Sequence, residues 1–481
     1  MKKSKYSRES RRFFLKSSVS GIAGLLVGSA GVGKIPAKTA TWQGNTQINP
    51  DIDNLRVAFI TDSGMILQSP SSWNTAGQND AVNTSQVHGN MDKMACALAQ
   101  KSSPAQAWAA IFMKQAGKSW QDVRVAIKTN CINSQNFPRL AIVDKICLEL
   151  INLGVVPANI TVFDASQNCT GLYGTTYSRA KLPANVNVSN SLGTRKSVTI
   201  VGGYTFQCVG DLVDGNIDIL VNTAVNKGHG GTYGSCTLTM KNHTGTIKFS
   251  CPSFNEMISQ NKSEPILGTQ DLQAGLPYRQ QLCIVDSLWS SVGGPGGIQS
   301  HQPAAILMGT FGPAVDYLTV KKIREPIMSA SHNTTNVHKF ITEFGYTDQE
   351  RANLTAKTPE ENNGRGWVDA ASWLPTAIKG GSQRNFNSLS ERLVELRVRS
   401  ISGQNTHVRL YLPLKEKIRN AGIYDLNGRL VKKLSFVNAD VSAQVLQWDG
   451  NAKSGSSAAL GMYVVKIKGT NSTISNRFIL R

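Results

Sequence analysis

Residues 123–128 read VRVAIK, residues 140–153 read LAIVDKICLELINL and residues 160–164 read ITVFD. The outer two are short runs rich in β-branched residues. The middle one repeats its apolar side chains at helical spacing and stops before Gly154, a residue suited to the turn that closes a helix. Strand, helix, strand in that order is the unit of a parallel sheet. The rhythm continues on both sides. VAFIT at 57–61, residues 198–201, IDILVN at 217–222, LCIVD at 282–286 and AAILMG at 304–309 read as strands. Residues 91–100, 104–116, 313–324 and 336–346 read as helices. This predicts an α/β domain with a mostly parallel sheet. Several strands end in a polar residue, Lys128, Asp164, Asn222 and Asp286, and ligands of open α/β sheets bind beyond such ends.

From about residue 393 the texture changes to two-residue alternation. Short strands at 408–412, 420–425, 430–434, 445–448, 461–467 and 474–480 are punctuated by Asn427-Gly428, Asp449-Gly450 and Ser454-Gly455. That pattern predicts an antiparallel β-sandwich. The expected organisation is a leader at 1–40, an α/β domain with a polar linker at 41–383 and a sandwich at 393–481.

The formal charge of +20 is unevenly spread. Residues 1–40 hold nine basic and one acidic residue, 384–481 hold sixteen and six, and 41–383 hold 26 and 24. The large domain is nearly neutral, and the charges of the tail alternate with strand residues and form no lysine–arginine block, which excludes a nucleic-acid partner. No run of eighteen apolar residues follows the leader, so no membrane span is expected in the mature chain. The eight cysteines form no C-x-x-C, which removes the four-cysteine iron–sulfur motif and the haem-attachment motif.

Within the large domain, Lys227, Gly228 and His229 follow a strand. A glycine-rich loop, a short strand and Lys241-Asn242 come next. Two lysines, a histidine and flexible amides suit a carboxylate or phosphate. His229, Lys227 and Lys241 are the candidate catalytic groups, with His229 first for proton transfer. Asp286 and Asp316 are oxygen donors for a divalent metal, with His229 or His301 to complete the set. A strand-end or helix-start aspartate also serves as a cap, and that alternative stays open.

Three resemblances follow from these residues. SRRFFLK at residues 10–16, with Arg11 and Arg12 side by side, resembles the twin-arginine export signature. It implies a twin-arginine translocase as partner, carriage in the folded state and a periplasmic or outer location. The order of Lys128 and Asn130, Lys227 and His229, Thr237 with Lys241 and Asn242, Asp286, Pro295 and Gly296, then Ala314 and Asp316 resembles the family called domain of unknown function 362. It implies that Lys128, Asn130, Asn242 and Gly296 bind the ligand, and it supplies no reaction. IYDLNGRL, WDG and GMYVVKIK resemble both type IX secretion sorting domains and the Ig-like domain of flagellar hook-capping proteins. The sorting reading implies type IX machinery as partner and a cell-surface destination. The expectation is an exported protein acting on a small anionic or surface-derived substrate with metal assistance; the alternative is a non-catalytic binding or surface module.

Overall fold

The computed structural model describes residues 42, 46–165, 168–248, 253–271, 275–294, 299–373, 395–401, 405–413, 418–425, 429–437, 443–448, 451–456, 458–459, 461–469 and 473–480. The chain divides into two compact units, Met1–Ala377 and Ile378–Arg481.

The large unit carries β1 (Arg56–Thr61), β2 (Val125–Lys128), β3 (Ile160–Phe163), β4 (Asn187–Ser189), β5 (Lys196–Thr199), β6 (Thr205–Cys208), β7 (Ile219–Val225), β8 (Lys227–Gly228), β9 (Cys236–Thr237), β10 (Ile247–Lys248), β11 (Gln280–Ser287), β12 (Ala305–Gly309) and β13 (Gly366–Asp369). Eight of them form one sheet in the order β13-β1-β12-β11-β7-β2-β3-β4. All neighbours run parallel except at β12, which is antiparallel to both β1 and β11. The large unit is therefore α/β with a mostly parallel sheet, as the strand–helix rhythm predicts.

Residues 198–201 depart from that rhythm. β5 pairs antiparallel with β6, inside a separate three-stranded sheet of order β10-β6-β5. The reason is local. β5 is largely exposed, and the tight Gly202-Gly203 turn, with both glycines at positive φ, sends the chain straight back.

Helices cover both faces of the main sheet. Leu140–Asn152, which follows β2, packs Ile142, Val143, Ile146 and Leu150 with Val125, Ile127, Val221 and Ile284. Phe254–Asn261 and Gly312–Thr319 pack Met257, Ile258, Val315 and Leu318 with Cys283 and Val285 on the other face. Side chains alternate across a strand, so β11 feeds both cores at once.

Chain direction reverses in the middle of the sheet. From β2 the chain moves outward to β3 and β4; from β7, the neighbour of β2 on its other side, it moves to β11. Adjacent parallel strands whose outgoing connections part in this way open a crevice between their carboxyl ends. Lys128 closes β2 and Lys227 lies just beyond β7, so the crevice falls between these lysines.

The second unit holds β14 (Glu395–Ile401), β15 (Asn405–Pro413), β16 (Ile418–Tyr424), β17 (Leu430–Lys433), β18 (Ser435–Val437), β19 (Ala443–Trp448), β20 (Gly461–Gly469) and β21 (Thr473–Leu480). They form two antiparallel four-stranded sheets, β14-β15-β19-β18 and β17-β16-β20-β21. Trp448 of the first meets Tyr463 of the second edge-on, ring centres 5.5 Å apart, and both are buried. One large aromatic pair spanning two sheets suits so small a core. The Asn427-Gly428 and Asp449-Gly450 turns lie outside the described residues.

Among the described residues, no helix is long and apolar enough to cross a membrane.

Candidate functional site

The crevice is filled by a buried polar network. Lys128 Nζ pairs with Asp164 Oδ1 at 3.1 Å and donates to Asn242 Oδ1 at 3.2 Å. Asn130 Nδ2 donates to the same Asn242 oxygen at 3.1 Å, and its own Oδ1 accepts from Lys227 Nζ at 2.6 Å. Asn242 Nδ2 donates in turn to Asn222 Oδ1 of β7 at 2.8 Å. The turn Lys241–Gly245 brings Asn242 over β7, where His243 Nε2 lies 2.7 Å from Gln280 Oε1. Burial pushes Lys227 down to about 7; Asp164 opposes this, and Lys128 and Lys241 add to it. Asp164 thus faces two buried lysines, a local excess of positive charge.

The solvent side is formed by His229 and Lys241, both half-buried. Tyr233 holds both: the His229 ring meets it edge-on at 4.7 Å and Lys241 Nζ sits 4.5 Å from its centre. Burial, then Lys241 and Lys227, lower His229 to about 4, so the ring is neutral near pH 7. The Gly230 amide donates to His229 Nδ1 at 2.8 Å, which puts the ring proton on Nε2. His229 is therefore a hydrogen-bond donor at Nε2 in its resting state. Its expected place as a base requires that bond to break.

Backbone meets backbone where the loop after β11 crosses this hairpin. Gly228 donates to Gly293 O at 3.2 Å, and a Cβ on Gly228 would overlap the Val292 carbonyl. Gly228→Ala is expected to destabilise the unit by about 1–3 kcal/mol. Gly230→Ala, whose Cβ would meet nothing within 4 Å, should cost little. Thermal unfolding of the two variants checks this.

Of the residues singled out from sequence, the structure joins Lys128, Asn130, Lys227 and Asn242 in one network and sets His229 and Lys241 beside it. It does not bring Asp286 and Asp316 together. Asp286 follows Leu282 and Ile284 onto the face of the helix Leu140–Asn152, where Oδ2 accepts from the Arg139 amide at 2.7 Å and Oδ1 from the Leu288 amide at 3.0 Å. Asp316 belongs to the helix on the opposite face. It accepts from the Thr239 amide at 2.8 Å, the Thr239 hydroxyl at 2.6 Å and the Met240 amide at 2.9 Å. Burial pushes Asp316 up to about 7. Amide donors fill both carboxylates, and the sheet separates them, so they do not fit a shared divalent metal. His301 bridges to Ser290, with Nδ1 2.8 Å from Ser300 Oγ. Gly296, Arg11 and Arg12 lie outside the described residues.

Two contributors fall outside the sequence motifs. Asp164 carries the network's carboxylate; its signal was a polar residue closing an apolar strand. Arg324 is fully buried and ties the loops together, donating to Asn226 Oδ1 at 2.7 Å, Ser291 O at 3.2 Å and His332 Nε2 at 2.9 Å. In sequence it is only the last residue of the helix read at 313–324, with nothing to mark it as buried.

Residues 397–473 match the family model of the FlgD Ig-like domain, so the second unit is Ig-like. No curated protein matches the chain. Among solved structures it has a likeness to an engineered protein, with 10% identity and a TM-score of 0.19, covering 56% of this chain and 42% of that one. The chain thus spans less than half the length of that structure, and a score so low carries no argument.

Proposed function

We propose that the large unit binds a small carboxylate- or phosphate-bearing ligand in the crevice between β2 and β7. The observation that carries this reading is the buried pair Lys128 and Lys227 facing Asp164 at the carboxyl ends of parallel strands. A bound anion supplies the charge that the network lacks. Lys241 and His229 Nε2 stand on the solvent side as further donors. This reading uses no metal at Asp286 or Asp316. It agrees with the resemblance to the family of unknown function, in which these same motifs recur.

Export completes the proposal. The SRRFFLK segment sends the folded protein through the twin-arginine translocase, and the Ig-like unit, similar also to type IX sorting domains, directs it to the cell surface.

Sulfate titration by calorimetry tests the site, because the charge of sulfate is constant near neutrality. Sulfate binds more tightly to the protonated form of Lys227 than to the neutral amine. Affinity is therefore expected to be level below pH 7 and to fall by about tenfold per pH unit above it. Lys227→Met should weaken binding by about ten- to a hundredfold, the loss of one charge-assisted hydrogen bond. Affinity that ignores both pH and this substitution would remove the proposal.

A further inference from the structure

Lys227 differs from its neighbour in what holds it. Lys128 Nζ has a carboxylate at 3.1 Å, whereas Lys227 Nζ donates to an amide oxygen, Asn130 Oδ1, at 2.6 Å. Asp164 is already committed, with Oδ1 to Lys128 and Oδ2 to the Cys131 amide at 2.6 Å. The Lys227 side chain is fully buried, and its surroundings include two further lysines. A desolvated amine beside other cations loses its proton readily, and the free amine is a nucleophile toward carbonyl carbon.

We propose that Lys227 forms an imine with a small anionic aldehyde or ketone, such as a 2-oxo acid or a phosphorylated sugar fragment. The inference rests on the anion-binding reading and names its substrate class. Lys241 takes the ligand's anionic group, and the carbonyl carbon faces Lys227 Nζ. The neutral amine adds to that carbon, forming the C–N bond, while a proton passes from nitrogen to the carbonyl oxygen. The C–O bond of this carbinolamine then breaks, water departs with the second amine proton, and C=N forms. No oxidant or reductant is required. The donor to the departing oxygen is His229, whose ring proton sits on Nε2 because the Gly230 amide occupies Nδ1. The shift of Lys227 to about 7 keeps a large share of the amine unprotonated near neutrality.

The experiment is reductive trapping on the full chain. Pyruvate, glyoxylate and dihydroxyacetone phosphate are each incubated with the protein and sodium borohydride, and the adduct is mapped by peptide mass spectrometry. The expected result is one dominant adduct on Lys227 with at least one probe. Its yield should rise with pH through neutrality, and it should be lost in Lys227→Arg. Should that variant fail to fold, the mapped position in the unsubstituted chain decides alone, and excess sulfate should suppress the adduct. Adducts spread over exposed lysines, or none with any probe, would overturn the imine. If sulfate still binds with the pH dependence given above, the anion site stands and only the covalent step falls; if sulfate fails as well, both fall.

Discussion

Asp286→Ala is expected to destabilise the large unit by about 3–5 kcal/mol, the cost of removing one partner from a buried ion pair. Asp286 and Arg139 are both fully buried, with Arg139 Nη1 3.4 Å from Asp286 Oδ2. The same carboxylate accepts the amide of Arg139, which opens the helix Leu140–Asn152, and the amide of Leu288. Alanine strands both amides and leaves a guanidinium whose Nε and Nη2 already lack partners. What remains to the guanidinium is the Phe137 carbonyl, 2.6 Å from Nη1, and the Trp289 ring, 5.2 Å from the guanidinium carbon. Arg139→Met combined with Asp286→Ala should recover much of the loss, because an apolar pair of similar volume carries no stranded charge. Denaturant unfolding of the three variants decides it. An unchanged midpoint in Asp286→Ala would show that the carboxylate is not structural. A loss of activity in that variant would therefore report folding before chemistry.

That result bears on what was legible in advance. An apolar run that ends in a polar residue is visible in sequence, and it located Lys128, Asp164 and Asp286 at strand ends of one sheet; Asn222 instead lies within β7, which continues to Val225 because Thr223, Ala224 and Val225 keep pairing with β11. Which face each points to is set by register, and parity within a strand is readable only once a neighbouring core residue is known. Asp286 shares parity with Ile284, and Ile284 joins the core of the helix after β2. Asp316 lies on a helix of the other core. Sequence spacing gives no hint of that separation. The order of strands is equally hidden. The chain passes β3 and β4 before it returns to lay β7 against β2, and only this return places residue 227 beside residue 128. Lysine, asparagine and histidine motifs about a hundred residues apart thus meet at the point where outgoing connections diverge, the place in the fold where a ligand gains backbone amides from two loops at once.

Acid is expected to unfold the large unit well before its carboxylates titrate fully. Burial lowers His88, His229 and His332 to about 4 and His243 to about 3, from an ordinary value of 6.5. Between those values and 6.5 the unfolded chain binds more protons than the folded one. The stability from keeping these rings neutral is complete above 6.5 and is lost as pH falls toward 4 and 3. Asp316 acts in the opposite sense. Burial raises it from 3.8 to about 7, so the folded state holds the extra proton in that window and acid relieves the cost of ionising it. These four rings, with His338 lowered as well, outweigh one raised carboxyl and leave a net loss on acidification. His243 contributes most, because it is fully buried and its Nδ1 has no partner; Lys128 adds to the lowering, and the Gln280 bond at Nε2 opposes it only in part. Each pH step below 6.5 removes about 1.4 kcal/mol while the ring stays neutral in the fold, so this histidine alone accounts for about 4 kcal/mol as pH approaches 3. His243→Gln should give a weaker fall in stability between about pH 7 and about pH 4, even where the variant is less stable at neutrality. Unfolding midpoints measured across that range for the two chains check it. Parallel curves would mean that His243 does not carry the acid sensitivity.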